Sequence, residues 1–289
     1  MKAEELQKKI ASMTIWKKNG QRAPHKPLLI LYALGELQRN RKRELPYEEV
    51  RDNMKYLLQE YGPPRKSYHP EEPFVRLVGD GVWELSAHVD KRNIRDRQLL
   101  LEGVTGKFTD EVISLLDSNE SLVEAIATQI LNEHFPDTMH EDILNDTGLS
   151  LGLARKKSRD PAFRERVLRA YEYSCAVCGF QVRLGRTLVG IEAAHIKWHQ
   201  VGGPDLEENG IALCSLHHKL FDRGVFTVSE ENQLLVSEEA HGTNGFEEWL
   251  MRYHGKTLRK PIRPDYAPRS TFLHWHVREV FKGQARYLV

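Results

Sequence analysis

Cys175-Ala176-Val177-Cys178 and Cys214-Ser215-Leu216-His217 are the two stretches on which the fold turns, with 35 residues between them. In each, two residues separate a pair of sulfur or imidazole donors, a spacing at which one tight turn brings both onto the same cation. Two such turns complete a tetrahedral set of three thiolates and one imidazole. The pattern therefore predicts a structural zinc on Cys175, Cys178, Cys214 and His217. All three cysteines of the chain are used by this assignment. An odd number cannot close a disulfide framework and suits a reducing cytoplasm. A redox Cys-x-x-Cys motif is the alternative, but no strand-and-helix context of that kind follows it.

Working outward, Ile191-Glu192-Ala193-Ala194-His195-Ile196 and Asn209-Gly210-Ile211-Ala212-Leu213 lie between the two zinc pairs, and His218-Lys219-Leu220-Phe221-Asp222 follows the second. His218 and Asp222, four apart on a helix, share a face and can hold one divalent ion together. Neutral histidine has the pKa of a base that can deprotonate water, a role that fits His195. Asn209 can fix either the imidazole of His195 or the backbone through its amide. His217 and His218 point in different directions, so one can serve the zinc and the other a reaction.

In this order the residues from about Tyr173 to Val228 resemble the HNH nucleases, a ββα-metal fold in which a hairpin and a helix clamp one divalent ion. The resemblance implies phosphodiester hydrolysis with His195, Asn209 and His218 as catalytic residues and His218 and Asp222 as ligands of the catalytic ion. A common family pattern has an acidic residue or histidine just before the base, where this chain has Ala194. That leaves two clear protein ligands and keeps a ligand role open for His195 or Glu192. Magnesium or manganese suits a carboxylate and water shell, while a histidine ligand also admits nickel, cobalt or zinc.

The first half reads as helices. A short amphipathic helix carries Leu6 and Ile10, and a second helix runs from about Pro27 to Leu37, with proline in its first turn. A third, from Glu48 to Tyr61, stops at Gly62-Pro63-Pro64. Phe74–Leu77 and Val82–Leu85 flank Gly79-Asp80-Gly81, which predicts a hairpin and, with the helices, a winged-helix-like unit. Leu122, Ile126, Ile130 and Val123, Ala127, Leu131 form a helical stripe that ends before Pro136, and a further helix ends near Gly148. Later, Val225–Val228 with Leu234–Val236 predicts a hairpin, and Phe246–Tyr253 a short helix. The fold class is α+β: a mostly helical domain over 1–150, a linker over 151–160 in which Asp160 caps the next helix, and a zinc-stabilised ββα-metal domain over 161–289.

The first half also resembles the sulfur-binding domain of restriction enzymes that attack phosphorothioated DNA. The resemblance rests on Arg22-Ala23-Pro24-His25-Lys26-Pro27-Leu28-Leu29, Pro70-Glu71-Glu72-Pro73-Phe74-Val75-Arg76-Leu77, Asp80-Gly81-Val82-Trp83-Glu84 and the helix near Leu131–Pro136. Replacing a phosphate oxygen by sulfur gives a larger, less hydrated atom on a group that stays anionic. A discriminating site pairs an apolar cup with cations. Pro73, Phe74 and Tyr68 are expected to form the cup, and Arg22, His25, Lys26 and Arg76 to meet the phosphate. The family often has an aromatic residue where this chain has Glu72, whose carboxylate must point away or be displaced in role by Tyr68.

The chain has 289 residues, 40% hydrophobic and 29% charged, which excludes wholesale disorder. Its longest apolar run, Leu28–Leu34, is too short to cross a bilayer, and the first 25 residues lack the apolar stretch of a signal peptide. The net charge of +1 conceals segregation: residues 1–107 carry +6, 108–154 carry −10, 155–251 carry −2 and 252–289 carry +7. The basic tail interleaves Trp275, Phe281 and Tyr287, which suits either a nucleic-acid groove or a packed terminus. Together these features predict a modification-dependent endonuclease acting on double-stranded DNA. Cutting both strands is simplest with two sites, as in a homodimer. Competing readings are an HNH nuclease that reads another modification, such as a methylated base, and a zinc-stabilised DNA-binding protein without catalysis.

Overall fold

The computed structural model describes residues 1–15, 23–151 and 161–287. The chain divides into two compact units, Met1–Arg155 and Lys156–Val289. The linker expected over 151–160, its capping Asp160 and Arg22 fall on or run into residues outside those described.

In the first unit the order is α1 (Ala3–Ala11), α2 (His25–Asn40), β1 (Glu44–Pro46), α3 (Tyr47–Tyr61), α4 (Glu71–Arg76), β2 (Trp83–Leu85), α5 (Asp96–Leu101), β3 (Thr105–Phe108), α6 (Asp110–Ser118), α7 (Glu120–His134) and α8 (Asp137–Thr147). Helix α2 is the hub, because Leu28 to Leu34 are buried around its whole circumference and it packs against α3, α4, α7 and α8. It ends where Arg41 turns into the left-handed region, φ 51°. The strands form one antiparallel sheet in the order β1-β3-β2, with Leu45 and Leu85 both opposite Gly106. The succession α2, β1, α3, α4, β2, α5, β3 in that sheet order is winged-helix-like, with α5 inserted between the last two strands.

The hairpin is not where its sequence signal lies. Phe74–Leu77 is not a strand: Glu71–Arg76 is helical and Leu77–Asp80 continues as a 3-10 turn. Pro70 precedes the helix, two glutamates occupy its first turn, and Gly81 at φ 71° ends the turn. Negative charge at a helix N-terminus and proline just before it are helix signals, and they outweigh a short apolar run that fits either period. The partner of β2 is β3, twenty residues downstream, with α5 in the intervening wing.

In the second unit α9 (Pro161–Ala170) leads to the hairpin of β4 (Val182–Leu184) and β5 (Thr187–Val189). Then come β6 (Ile191–His195), β7 (Gly210–Cys214), α10 (Ser215–Asp222), the hairpin of β8 (Phe226–Val228) and β9 (Leu234–Val236), α11 (Asn244–Trp249) and α12 (Ser270–Glu279). Strands β6 and β7 pair antiparallel, from Ile191 opposite Cys214 to His195 opposite Gly210, and α10 packs against both. This is the ββα unit. The tail belongs to its core: Trp275 and Phe281 are buried, Trp275 meets Trp198 edge-on, and the ring of His276 stacks on Phe221 of α10 at 3.8 Å. Only Tyr287 of the three interleaved aromatics is exposed. Among the described residues no helix is long and apolar enough to cross a membrane.

Candidate functional site

The second unit contains a four-donor cluster. Cys175, Cys178, Cys214 and His217 present ligand atoms that all lie within 4.8 Å of one another. Within it, Cys214 Sγ lies 3.1 Å and Cys175 Sγ 3.7 Å from His217 Nδ1, and Cys178 Sγ lies 4.0 Å from Cys214 Sγ. Ligands about 2.3 Å (sulfur) and 2.0 Å (nitrogen) from a tetrahedral zinc stand about 3.5 to 3.8 Å apart, so the set fits that ion. His217 Nε2 donates to the Trp249 carbonyl at 2.8 Å, which turns Nδ1 toward the sulfurs, as an outer partner of a metal-bound imidazole does. The two turns are tied to the sheet, since Ala176 N–H donates to Ala212 O at 2.8 Å.

One residue beyond His217, His218 points elsewhere. Its Nε2 lies 3.1 Å from Asp222 Oδ2, and its Nδ1 lies 2.6 Å from Glu192 Oε2 on β6. Both His218 and Asp222 are buried. Burial opposes a charged imidazole, but Asp222 and then Glu192 outweigh it and hold the pKa at about 9. A nitrogen and a carboxylate oxygen about 3 Å apart can occupy neighbouring positions around a divalent ion with bonds near 2.1 Å. Glu192 then stands behind His218 on its other nitrogen, as a carboxylate that orients a metal-bound imidazole. Its second oxygen accepts from Ser215 Oγ at 2.9 Å. Ala194, fully buried, supplies no donor.

His195 closes β6. Its ring stacks on Phe163 of α9, centroids 4.0 Å apart and 17° from parallel, and its Nε2 lies 2.7 Å from Asp205 Oδ1. Asn209 is fully buried and spends its amide on backbone: Oδ1 accepts from Lys197 N–H at 2.8 Å, while Nδ2 donates to Lys197 O at 3.0 Å and Pro204 O at 2.9 Å. Of the two roles open to it, Asn209 takes the backbone one, closing the loop between β6 and β7. Asp205 and Phe163 were not singled out from the sequence. Asp205 follows Gly202-Gly203-Pro204 in a turn, where a carboxylate is unremarkable by pattern.

The first unit contains a cavity of about 720 Å³ whose walls include His25, Lys26, Pro73 and Arg76 of the residues expected there. Thr14, Ile15, Ala23 and Pro73 give it uncharged surface; Lys26, Arg65, Arg76 and Lys91 are its cations, and Glu72 and Asp80 its carboxylates. Two expected cup residues are elsewhere. Phe74 is wholly buried between Tyr47 and Trp83 in the core under the sheet, and Tyr68 is not part of the cavity wall. Proline at 73 on a helical turn faces the cavity while its neighbour at 74 faces inward, which a strand would also alternate but with Val75 returned to the cavity; Val75 is buried as well.

Charge in this cavity is partly neutralised. Lys26 Nζ pairs with Asp80 at 2.6 Å and donates to Thr14 O at 2.9 Å, and Arg76 pairs with Glu72 one turn before it. Glu72 thus has a cation partner within its own helix. His25 is not a cation at neutral pH: burial, then the charges of Arg65 and His69, push its pKa down to about 4. Arg65 and Lys91 were also missed, and no sequence signal separates them from the many basic loop residues of this half.

Two family models match the chain. Residues 3–151 match the ScoMcrA-like DNA sulfur-binding domain, and residues 175–229 match an HNH endonuclease. Among solved structures, the sulfur-binding domain of SprMcrA complexed with phosphorothioated DNA is 20% identical, with TM-score 0.44, over 52% of this chain and 95% of that one. The corresponding ScoMcrA domain complex is 20% identical, with TM-score 0.43, over 50% and 94%. The Type IV phosphorothioation-dependent restriction endonuclease ScoMcrA is 19% identical, with TM-score 0.41, over 57% and 38%. No curated protein matches. The first model covers more than half of the sequence, and the chain therefore belongs to the ScoMcrA-like DNA sulfur-binding domain family, joined here to an HNH endonuclease domain.

Proposed function

We propose that this protein is a restriction endonuclease that binds phosphorothioated double-stranded DNA through its first unit and hydrolyses a phosphodiester bond with its second. The observation that carries the reading is the pairing, in one chain, of a sulfur-binding domain whose cavity mixes apolar walls with cations and an HNH domain whose ββα unit carries His195, His218 and Asp222. A weakly hydrated sulfur loses little on entering contact with Ala23, Pro73 and Ile15, whereas a phosphate oxygen would forfeit its water there. Arg65, Arg76 and Lys91 meet the anionic charge. Neutral His25 adds ring surface and one N–H without a charge that would favour oxygen.

In the nuclease unit His218 and Asp222 would hold the catalytic divalent ion, magnesium or manganese with water completing the shell, or nickel or cobalt by way of the imidazole donor, with Glu192 fixing the imidazole. When bound, such an ion supplies Lewis-acid stabilisation of the charge that develops on the phosphate and on the leaving oxygen. His195 takes a proton from the attacking water; the oxygen bonds to phosphorus, the bond to the 3′ oxygen breaks, and that oxygen leaves as a hydroxyl after gaining a proton from solvent. Asn209 keeps the loop that follows His195 closed. Zinc on Cys175, Cys178, Cys214 and His217 is structural, and its thiolates call for a reducing compartment such as the cytoplasm. Cleavage of both strands is simplest with two such sites, which a homodimer would supply.

Binding to duplexes that differ by a single sulfur tests the recognition half. We expect the phosphorothioate duplex to bind at least ten-fold more tightly, about 1.4 kcal/mol, and Arg76→Ala to reduce that preference. Equal affinity for the two duplexes would remove the sulfur reading.

A further inference from the structure

We propose that Asp205 is the positioning residue of the nuclease site, holding His195 in the tautomer protonated on Nε2 so that the base nitrogen is Nδ1. The proposal rests on the reading of His195 as the base. Asp205 Oδ1 lies 2.7 Å from His195 Nε2. A carboxylate can only accept, so the nitrogen that faces it carries the proton, and in a neutral imidazole the lone pair then lies on Nδ1. Asn209, the middle residue of the motif, does not perform this task, because its amide is committed to the backbone of Lys197 and Pro204.

Both members of the pair are held from a second direction. The face of the His195 ring lies on Phe163, which fixes the plane while Asp205 fixes the rotation within it. The Asp205 carbonyl accepts from Arg166 Nη2 at 2.7 Å, and Arg166 also pairs with Glu207 at 3.2 Å. Asn209 secures Pro204, the residue before Asp205. Phe163 and Arg166 come from α9, which precedes the stretch matched as HNH endonuclease, so the catalytic frame begins before that stretch. Gly210, opposite His195, allows this approach: a Cβ there would fall 2.4 Å from Val167 Cγ2 and 3.2 Å from Phe163 Cζ.

A surface ion pair would also bring a carboxylate to a histidine. This one differs in that His195 is nearly buried while Asp205 is one-third exposed, and the backbone of the carboxylate is itself anchored. The pair is thus built to orient the ring.

The test uses the full zinc-loaded chain, a phosphorothioated plasmid with magnesium or manganese, and the variants Asp205→Asn, Asp205→Ala and His195→Ala. Histidine-labelled protein gives the tautomer of each ring from its nitrogen spectrum, and the signals lost in His195→Ala identify His195. We expect Nε2–H on His195 in the parent and movement of the proton to Nδ1 in Asp205→Asn, whose amide can donate to the ring. With it kcat should fall about 10²-fold, while KM, zinc content and Tm stay close to the parent. Asp205→Ala should lose kcat as well and show both tautomers. Parent-like kcat in Asp205→Asn, an unchanged tautomer, or a loss of activity that tracks loss of zinc or fold would overturn the proposal. Parent-like cleavage by His195→Ala would instead overturn the reading of His195 as the base, and the two failures are thereby separate.

Discussion

Protonating His25 would bury a charge, and the nearby charges of Arg65 and His69 add to that cost. Its folded pKa of about 4 lies below the ordinary 6.5, so between those values the unfolded chain binds a proton that the folded chain refuses. Stability from this site is therefore complete above about 6.5 and is lost as pH falls toward 4. Thermal melts of the parent and of His25→Gln should show it: the glutamine variant should lose less stability than the parent on acidification through that window. Identical pH dependence would show that His25 does not carry the effect. At this scale the sequence was legible where spacing alone brings donors together, as in the cluster of Cys175, Cys178, Cys214 and His217 and in the pair His218 and Asp222. Asp205, Phe163 and Arg65 were not legible, because their roles come from loops and a helix meeting in space. Phe74 misled for a related reason: an aromatic beside a proline looks like a cup, but helical rotation turns it into the core.

Among the elements, β3 depends on a residue with no side chain. A Cβ on Gly106 would fall 2.6 Å from Trp83 Cζ2 and 2.8 Å from Phe74 Cε2, both in the packed core. Gly106→Ala should therefore destabilise the first unit by about 1–3 kcal/mol, read as a lower Tm; an unchanged Tm would mean that the sheet is not seated on Phe74 and Trp83 as described. Long periodic helices such as α2, α3 and α7 were read within a few residues, since their stripes are unambiguous. The strand expected at Phe74–Leu77 was not, because four apolar-rich residues fit either period, and β3 lies too far along the chain for a short hairpin signal to reach it. In the other unit, a structural zinc of this kind contributes on the order of 10 kcal/mol to folding, by the measure of small zinc-finger domains. Stripping it with a strong chelator should abolish the folding transition of the second unit and of cleavage with it, monitored by calorimetry and zinc content. A transition that survives complete zinc removal would show the cluster to be dispensable.

Across the whole molecule, a net charge of +1 is divided into a basic first 107 residues, a −10 helical stretch, a nearly neutral catalytic segment and a +7 tail. The −10 stretch is the helical run of α6, α7 and α8, whose apolar stripe is buried in the first unit. The +7 tail is not a free basic arm, since Trp275 and Phe281 anchor it in the core of the second unit. Such a charge balance provides little general attraction to DNA, so under the proposed function the selective grip falls to Arg65, Arg76 and Lys91 around the cavity. The measurement that bears most directly on the whole is cleavage of one plasmid prepared with and without phosphorothioate, by the parent and by His195→Ala, with magnesium or manganese. We expect the parent to cut the modified plasmid, to leave the unmodified one intact, and His195→Ala to cut neither. Equal cutting of both plasmids by the parent, or cutting by His195→Ala at the parent's rate, would contradict a modification-dependent nuclease built on this site.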